Sequence, residues 1–328
     1  MSSPVKQLEI PVPRELHNKP RVSDRIFRST VTGVSLISVI VLTLIGLFLL
    51  LKGYAAFKSE GFSFLTGFSW DAYTDDAGNR VTNLGIGAML FGTLLIAIVA
   101  ILIGVPLSVL TALYLSFYAP LKLKKLLITV VDLMASFPSI LYGMWGYFVL
   151  MPSAIYWAKL INKSFGWIPL FEVKQGLFTR SPWVAGLVLS VMIIPIVTSV
   201  SREIFAQTPL DRIQAAYALG ANKWLMIKTV VLPFGANGVV GGAMLGLGRA
   251  FGETVAVFTV LNLVYDINWH VLFGAGGNVA SHIILRWGEA SDIETSALLA
   301  AGFILFLLTL LVNMFADFIV KNTVKKGK

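Results

Sequence analysis

Cysteine is absent from the 328 residues. That excludes disulfides, thiolate zinc sites and cysteine nucleophiles. Histidine is scarce. His17, His270 and His282 are the only three, and their positions show no metal-ligand spacing. Charged residues make up 13% of the chain, against roughly 25% in soluble proteins. No G-x-x-x-x-G-K-[ST] loop occurs, so the chain does not cradle nucleotide phosphates or hydrolyse ATP itself. No Ser–His–Asp arrangement or carboxylate pair points to a membrane enzyme. The net charge of +9 is spread over short segments rather than gathered on a soluble domain. It therefore reads as a topology signal and not as a nucleic-acid surface.

What the chain has instead is long apolar runs, with 56% hydrophobic residues. A helix needs about 20 apolar residues to cross a bilayer core. Six stretches qualify: 31–51, one span within 81–121, 126–150 (interrupted by Asp132), 181–201, 237–263 and 295–316. The expected fold is all-α, a polytopic membrane protein of six transmembrane helices. Its expected organisation is a tail over 1–29, a transmembrane domain over 30–320 that includes a loop at 202–234, and a tail over 321–328. The polar first 30 residues, with Pro4, Pro11, Pro13 and Pro20, lack a signal-peptide core. The first span is therefore expected to remain as an anchor. Of 26 Lys and Arg residues, 17 fall on the side of the termini, eight on the opposite side, and Arg249 lies within a span. The positive-inside rule then predicts both termini in the cytoplasm. The three longer loops on the other side, near 52–85, 151–180 and 264–294, read equally as solvated connectors or as a docking surface for an extracytoplasmic partner.

Residues 201–254 are the most informative. Thr208 is placed to cap a helix, and Pro209 suits its first turn. That helix is predicted over 210–219. Gly220 is a natural stop because it tolerates positive φ. A second helix is predicted over 222–231, ended by Pro233. Ala215, Ala216, Ala218 and Ala221 carry so little bulk that another backbone can approach closely. An ordinary connector would also satisfy this pattern. A DNA-binding helix pair would not, because both ends are tethered close to the bilayer.

The next span carries seven glycines between Gly235 and Gly252, and small-residue stripes let membrane helices pack closely. Arg249 lies about 12 residues inside it, hence roughly 18 Å deep at ~1.5 Å per residue. An arginine there costs about 2.5–3.5 kcal/mol by insertion scales and normally faces a cavity or a partner. Glu253 follows four residues later on the same face, where the two can pair. The pair reads either as purely structural or as a gated anion site. In the second case Arg249 presents its planar donor fork to the anion, and Glu253 holds Arg249 when the site is empty. Asp132 reads as a near-interface residue, a helix-contact group or a member of a proton relay, with a structural role favoured.

Ala215-Ala216, Gly220 and then Val231-Leu232-Pro233 resemble the E-A-A loop of permease subunits of bacterial ABC importers. Gln214 stands where that family usually has glutamate. The block Gly248-Arg-Ala-Phe-Gly-Glu-Thr254, with FPSILYGMWGYFVL at 137–150, resembles the phosphate-importer permeases. The resemblance implies a type I ABC importer permease in the bacterial inner membrane, moving inorganic phosphate by alternating access. It also implies translocation residues at Arg249, Glu253 and Thr254. Gln214, Ala215, Ala216, Gly220 and Pro233 would form the coupling loop. The implied partners are a second homologous permease, two cytoplasmic ATPase subunits that bind ATP and Mg, and an extracytoplasmic phosphate-binding protein, with lipid around the spans. Read from the residues alone, transport of another oxyanion (sulfate or molybdate) and an autonomous anion channel stay open.

Overall fold

The computed structural model describes residues 22–74 and 80–325. Much of the expected N-terminal tail, the last three residues of the expected C-tail, and Asp75 and Asp76 lie outside them. Contacts divide the chain into residues 1–48 and 49–328. In the first unit, helix α1 (Val22–Glu60) begins, and its apolar side chains such as Leu36, Ile37 and Leu44 are exposed. Within the described residues, everything after the remainder of α1 belongs to the second unit.

There, α2 (Ser63–Thr66) leads into a hairpin of β1 (Trp70–Thr74) and β2 (Arg80–Leu84), antiparallel with Trp70 opposite Leu84. This hairpin is an addition to an otherwise helical chain. Its Trp70 is buried and donates through Nε1 to Glu294. The second span is α3 (Gly87–Leu113), extended by a π-helical segment over Tyr114–Tyr118.

The third expected span is not one straight helix. Helix α4 (Leu121–Ala135) stops at Ser136, and the chain turns by 98° before α5 (Ser139–Trp145). Pro138 explains the break: it has no N–H, and it drives the preceding residue out of the helical region. Beyond α5 the helix runs on through a π-segment over Gly146–Leu150 and α6 (Met151–Phe165). The long loop expected from 151 therefore starts at 166. Among the described residues, five helices are long and apolar enough to cross a membrane, or six with the bent pair counted as one.

Helix α7 (Pro182–Ala206) is the most buried span, and it packs against α3. Ser108 Oγ on α3 donates to Ile194 O at 3.3 Å, and Thr198 Oγ1 donates back to Ser108 O at 3.3 Å. Helices α8 (Leu210–Ala218), α9 (Lys223–Met226) and α10 (Leu232–Gly252) follow. Next come α11 (Val255–Val260), α12 (Val279–Trp287) and α13 (Asp292–Lys325). The main core collects Val184, Val188, Leu189, Ile193 and Val197 of α7 with Ala256, Val257 and Val260 of α11.

The glycines of α10 sort into two faces. A Cβ on Gly235, Gly238, Gly242 or Gly246 would meet Phe205, Ile204, Val200 or Val197 on α7. Those four glycines bring α10 tight against α7, as the packing reading requires. Gly241, Gly248 and Gly252 face open space within 4 Å.

Candidate functional site: a broken membrane helix and the two-helix segment that leads to it

The 202–234 segment contains two helices, as expected, with different joints. Helix α8 starts at Leu210 with Pro209 as its N-cap, and no side chain caps it. Thr208 does not cap: its Oγ1 is buried without a hydrogen-bond partner among the described residues. Gly220 takes φ +83, and its N–H donates to Tyr217 O at 2.9 Å, the left-handed stop that glycine tolerates best. Asn222 Oδ1 then accepts the Leu225 N–H at 2.8 Å and caps α9. The alanines divide: Ala215 and Ala218 are exposed, while Ala216 and Ala221 pack inward against the cluster of Ala112, Leu113, Phe205 and Met226. Gln214 is exposed beside Ala215. The outward face also shows Leu210, Tyr217, Leu219 and Trp224.

Pro233 does not end the second helix. Residues 223–252 run as one helical span, because the turn before the proline widens into a π-segment over Ile227–Val231, with Leu232 N bonded to Ile227 O. An α-helical proline clashes with the carbonyl four residues back. The i→i+5 register just upstream relieves that conflict, and local π adjustments are a known way to accommodate proline. From Pro233 to Arg249 this helix spans roughly 24 Å at ~1.5 Å per residue.

The expected span 237–263 breaks where its charges lie. Helix α10 ends at Gly252, Glu253 is extended (φ −73, ψ 123), and α11 starts at Val255. The i, i+4 relation between Arg249 and Glu253 is lost with the helix. No ion pair joins them among the described residues. Glu253 is buried, and its Oε1 accepts the Ala256 N–H at 3.1 Å, so it caps α11. Thr254 Oγ1 donates to Gly252 O at 3.1 Å, and the Thr254 carbonyl accepts Ser281 Oγ from α12 at 2.8 Å. Arg249 is half-buried, and its Nε has no hydrogen-bond partner among the described residues. An arginine Nε left without a partner beside a helix break, with open glycines at 248 and 252, leaves donor capacity unused at that point.

The 137–150 block meets this break. The Tyr142 hydroxyl donates to Met134 O at 2.7 Å across the 98° bend. A Cβ on Gly143 would lie 2.8 Å from Ala256 Cα and also strike Thr259. Gly143 therefore lets α5 lie directly on α11. The two motifs behind the resemblance are distant in sequence and adjacent in space. Asp132 serves as a helix contact: its Oδ1 accepts Ser199 Oγ at 2.9 Å, with Arg202 at 4.0 Å.

The profile of the binding-protein-dependent transport system inner membrane components matches residues 104–325. The chain belongs to that family. Among similar proteins is the "Phosphate transport system permease protein PstC 2" of Mycobacterium tuberculosis. It is 41% identical over 298 residues, covering 89% of this chain and 90% of that protein. The "Phosphate transport system permease protein PstC" of Mycobacterium leprae is 41% identical over 302 residues, covering 90% and 92%. Among solved structures, a chain of a bacterial alginate ABC transporter in complex with a periplasmic protein superposes with TM-score 0.58. It is 16% identical and covers 93% of this chain and 99% of that one. At that identity the likeness speaks for fold alone, and the fold is that of a type I ABC importer permease.

Sequence reasoning missed Ser281, Tyr142 and Arg180 as neighbours of the broken span. Ser281 and Arg180 act through long-range hydrogen bonds that no local motif announces.

Proposed function

We propose that this chain is the membrane permease subunit of an ATP-driven importer and carries inorganic phosphate across the inner membrane by alternating access. The relatives' names support phosphate as the cargo. The observation that carries the site is the Arg249 Nε, buried without a partner among the described residues at the α10–α11 break. In this reading Arg249 receives the anion, and Glu253 and Thr254 shape the break through which it passes. The exposed Gln214–Ala215 face and the Gly220 stop form the coupling helix, and Ala216 braces it from within. The helix from 223 to 252, passing through Pro233, carries the stroke to Arg249.

The chain is non-catalytic. Two cytoplasmic ATPase subunits would bind ATP and Mg and hydrolyse the nucleotide. A second, homologous permease and an extracytoplasmic phosphate-binding protein complete the assembly. Both termini lie in the cytoplasm by the charge bias.

The test is uptake of radiolabelled phosphate by the complete transporter carrying Arg249→Ala. We expect assembly to persist and uptake to fall by about a hundredfold, the scale on which losing one charge-stabilising contact acts. Uptake at the unaltered rate would remove Arg249 from the pathway. Competition by sulfate as effective as by phosphate would instead assign another oxyanion.

A further inference from the structure

Among the described residues one non-glycine residue adopts positive φ: Arg180, at φ 50. That conformation is strained for a residue with a side chain, and such strain tends to collect where geometry serves function. Arg180 precedes α7, in the loop on the side opposite the 202–234 segment. Its guanidinium Nη2 donates to Leu261 O at 3.1 Å and to Phe258 O at 3.4 Å. Its own carbonyl accepts the Asn262 N–H at 3.0 Å. A single residue thus grips the C-terminal end of α11 with both its side chain and its backbone. Phe258 and Leu261 offer the orphan carbonyls that a short helix leaves at its end, and a cation there is also favoured by the helix dipole.

The other end of α11 is held by Glu253 Oε1 on Ala256 N and by Ser281 Oγ on Thr254 O. Only six residues separate those two grips, and α11 is packed along its side by Gly143. A helix this short has no slack: a shift at Leu261 is passed to Glu253 and Thr254. The Arg180 loop is in turn stitched to the 262–276 loop by Gly274 N on Leu177 O at 2.9 Å, and that loop is closed on itself by Gly276 N on Asn262 O at 2.9 Å.

We propose that Arg180 is a positioning residue for the anion site, clamping the end of α11 and so setting where Glu253 and Thr254 stand at the break. This rests on the reading of Arg249, Glu253 and Thr254 as that site. It adds a mechanical route from the loops of the opposite side to the gate.

Arg180→Gln and Arg180→Lys are to be assayed in the complete transporter, with uptake of radiolabelled phosphate normalised to assembled complex. We expect the maximal rate of the Gln variant to fall about tenfold, in line with the cost of sub-ångström to ångström misplacement. The half-saturating phosphate concentration should stay unchanged, because Arg180 does not touch the anion. Lys keeps the cation but not the fork, so it should lie between. The chain has no cysteine, so Thr254→Cys gives a clean reporter. Its alkylation rate should change severalfold when Arg180→Gln or Arg180→Lys is added. Uptake within twofold of the parent, with an unaltered alkylation rate, overturns the proposal. If the Gln variant does not assemble, the Lys variant carries the same criteria. Arg249→Ala run in parallel separates the two readings. Normal uptake in that variant removes the site itself, whereas lost uptake there beside a parent-like Arg180→Gln removes only the clamp.

Discussion

Glu253 shows how one side chain changes meaning when its backbone is known. As the fourth residue after an arginine on a helix it would be a counter-ion. At the first free turn of α11 it is a cap, with Oε1 on the Ala256 N–H at 3.1 Å. The two roles make opposite predictions. A cap needs an acceptor oxygen, which glutamine retains, and replacing a capping side chain by alanine costs about 1 kcal/mol. Glu253→Gln should therefore keep most of the phosphate uptake of the parent transporter, while Glu253→Ala should lose most of it. Equal losses in both would restore the counter-ion role. Arg249 is affected by the same geometry: with Glu253 turned away, its Nε is unsatisfied among the described residues, so under the proposed function a cargo anion need not first displace a carboxylate.

Between elements, glycine decides which helices touch. Gly143 sits where a Cβ would lie 2.8 Å from the Ala256 backbone, whereas Gly241 has nothing within 4 Å. Overpacking of this kind costs about 1–3 kcal/mol. Gly143→Ala should lower thermal stability and depress uptake, because the displaced neighbour is α11 itself. Gly241→Ala should leave folding and assembly unchanged. Both are read by yield and melting of the purified complex, followed by transport. The 202–234 segment offers a second contrast. Ala215 is exposed and Ala216 packs inward. Ala215→Trp should block association with the ATPase subunits and leave the permease folded, as judged by co-purification. Ala216→Trp should destabilise the permease first. Unimpaired ATPase association in Ala215→Trp would move the docking face elsewhere.

At the scale of the whole molecule, α12 links the hairpin to the break. His282 is fully buried among Trp70, Tyr265 and Arg286, with ring centroids 4.3 Å from Trp70 and Nδ1 at 3.4 Å from the Tyr265 hydroxyl. Burial first, and then the Arg286 charge, pushes its pKa down to about 4, while Glu294 acts in the opposite sense. An unfolded histidine titrates near 6.5 and so binds more protons than the folded one between those values. Stability is therefore full above about pH 6.5, declines as pH falls and levels off below about pH 4, by up to about 3 kcal/mol. Melting of the purified complex should show this slope, and His282→Phe should flatten it. A slope that persists in that variant would assign it to another group.

The amount legible before the structure differed by interaction range. Spans α1, α3, α7 and α13 were readable because apolar length is a local property that the bilayer tests directly. Gly220 was readable because left-handed backbone is a demand on one residue. The breaks at 136–138 and 253–254 were harder. Proline at 138 signals trouble in a helix, but only the neighbours decide between a kink and a 98° turn. Pro233 shows the reverse outcome, since a π-segment five residues long let the helix pass through it. Nothing local to Glu253 distinguishes a counter-ion from a cap.

By itself, the sequence determined that this is a helical membrane protein, because apolar length is a local property, and its motifs at 215–233 and 248–254 carried the resemblance to importer permeases. Only the tertiary structure decided that the Arg249 Nε has no partner among the described residues, at a broken helix. It likewise decided that YGMWG lies on α11 and that Arg180 and Ser281 hold that helix at its two ends. Those facts depend on hydrogen bonds and close approaches between residues from 27 to more than 100 positions apart, and the chain encodes them only through its folded packing.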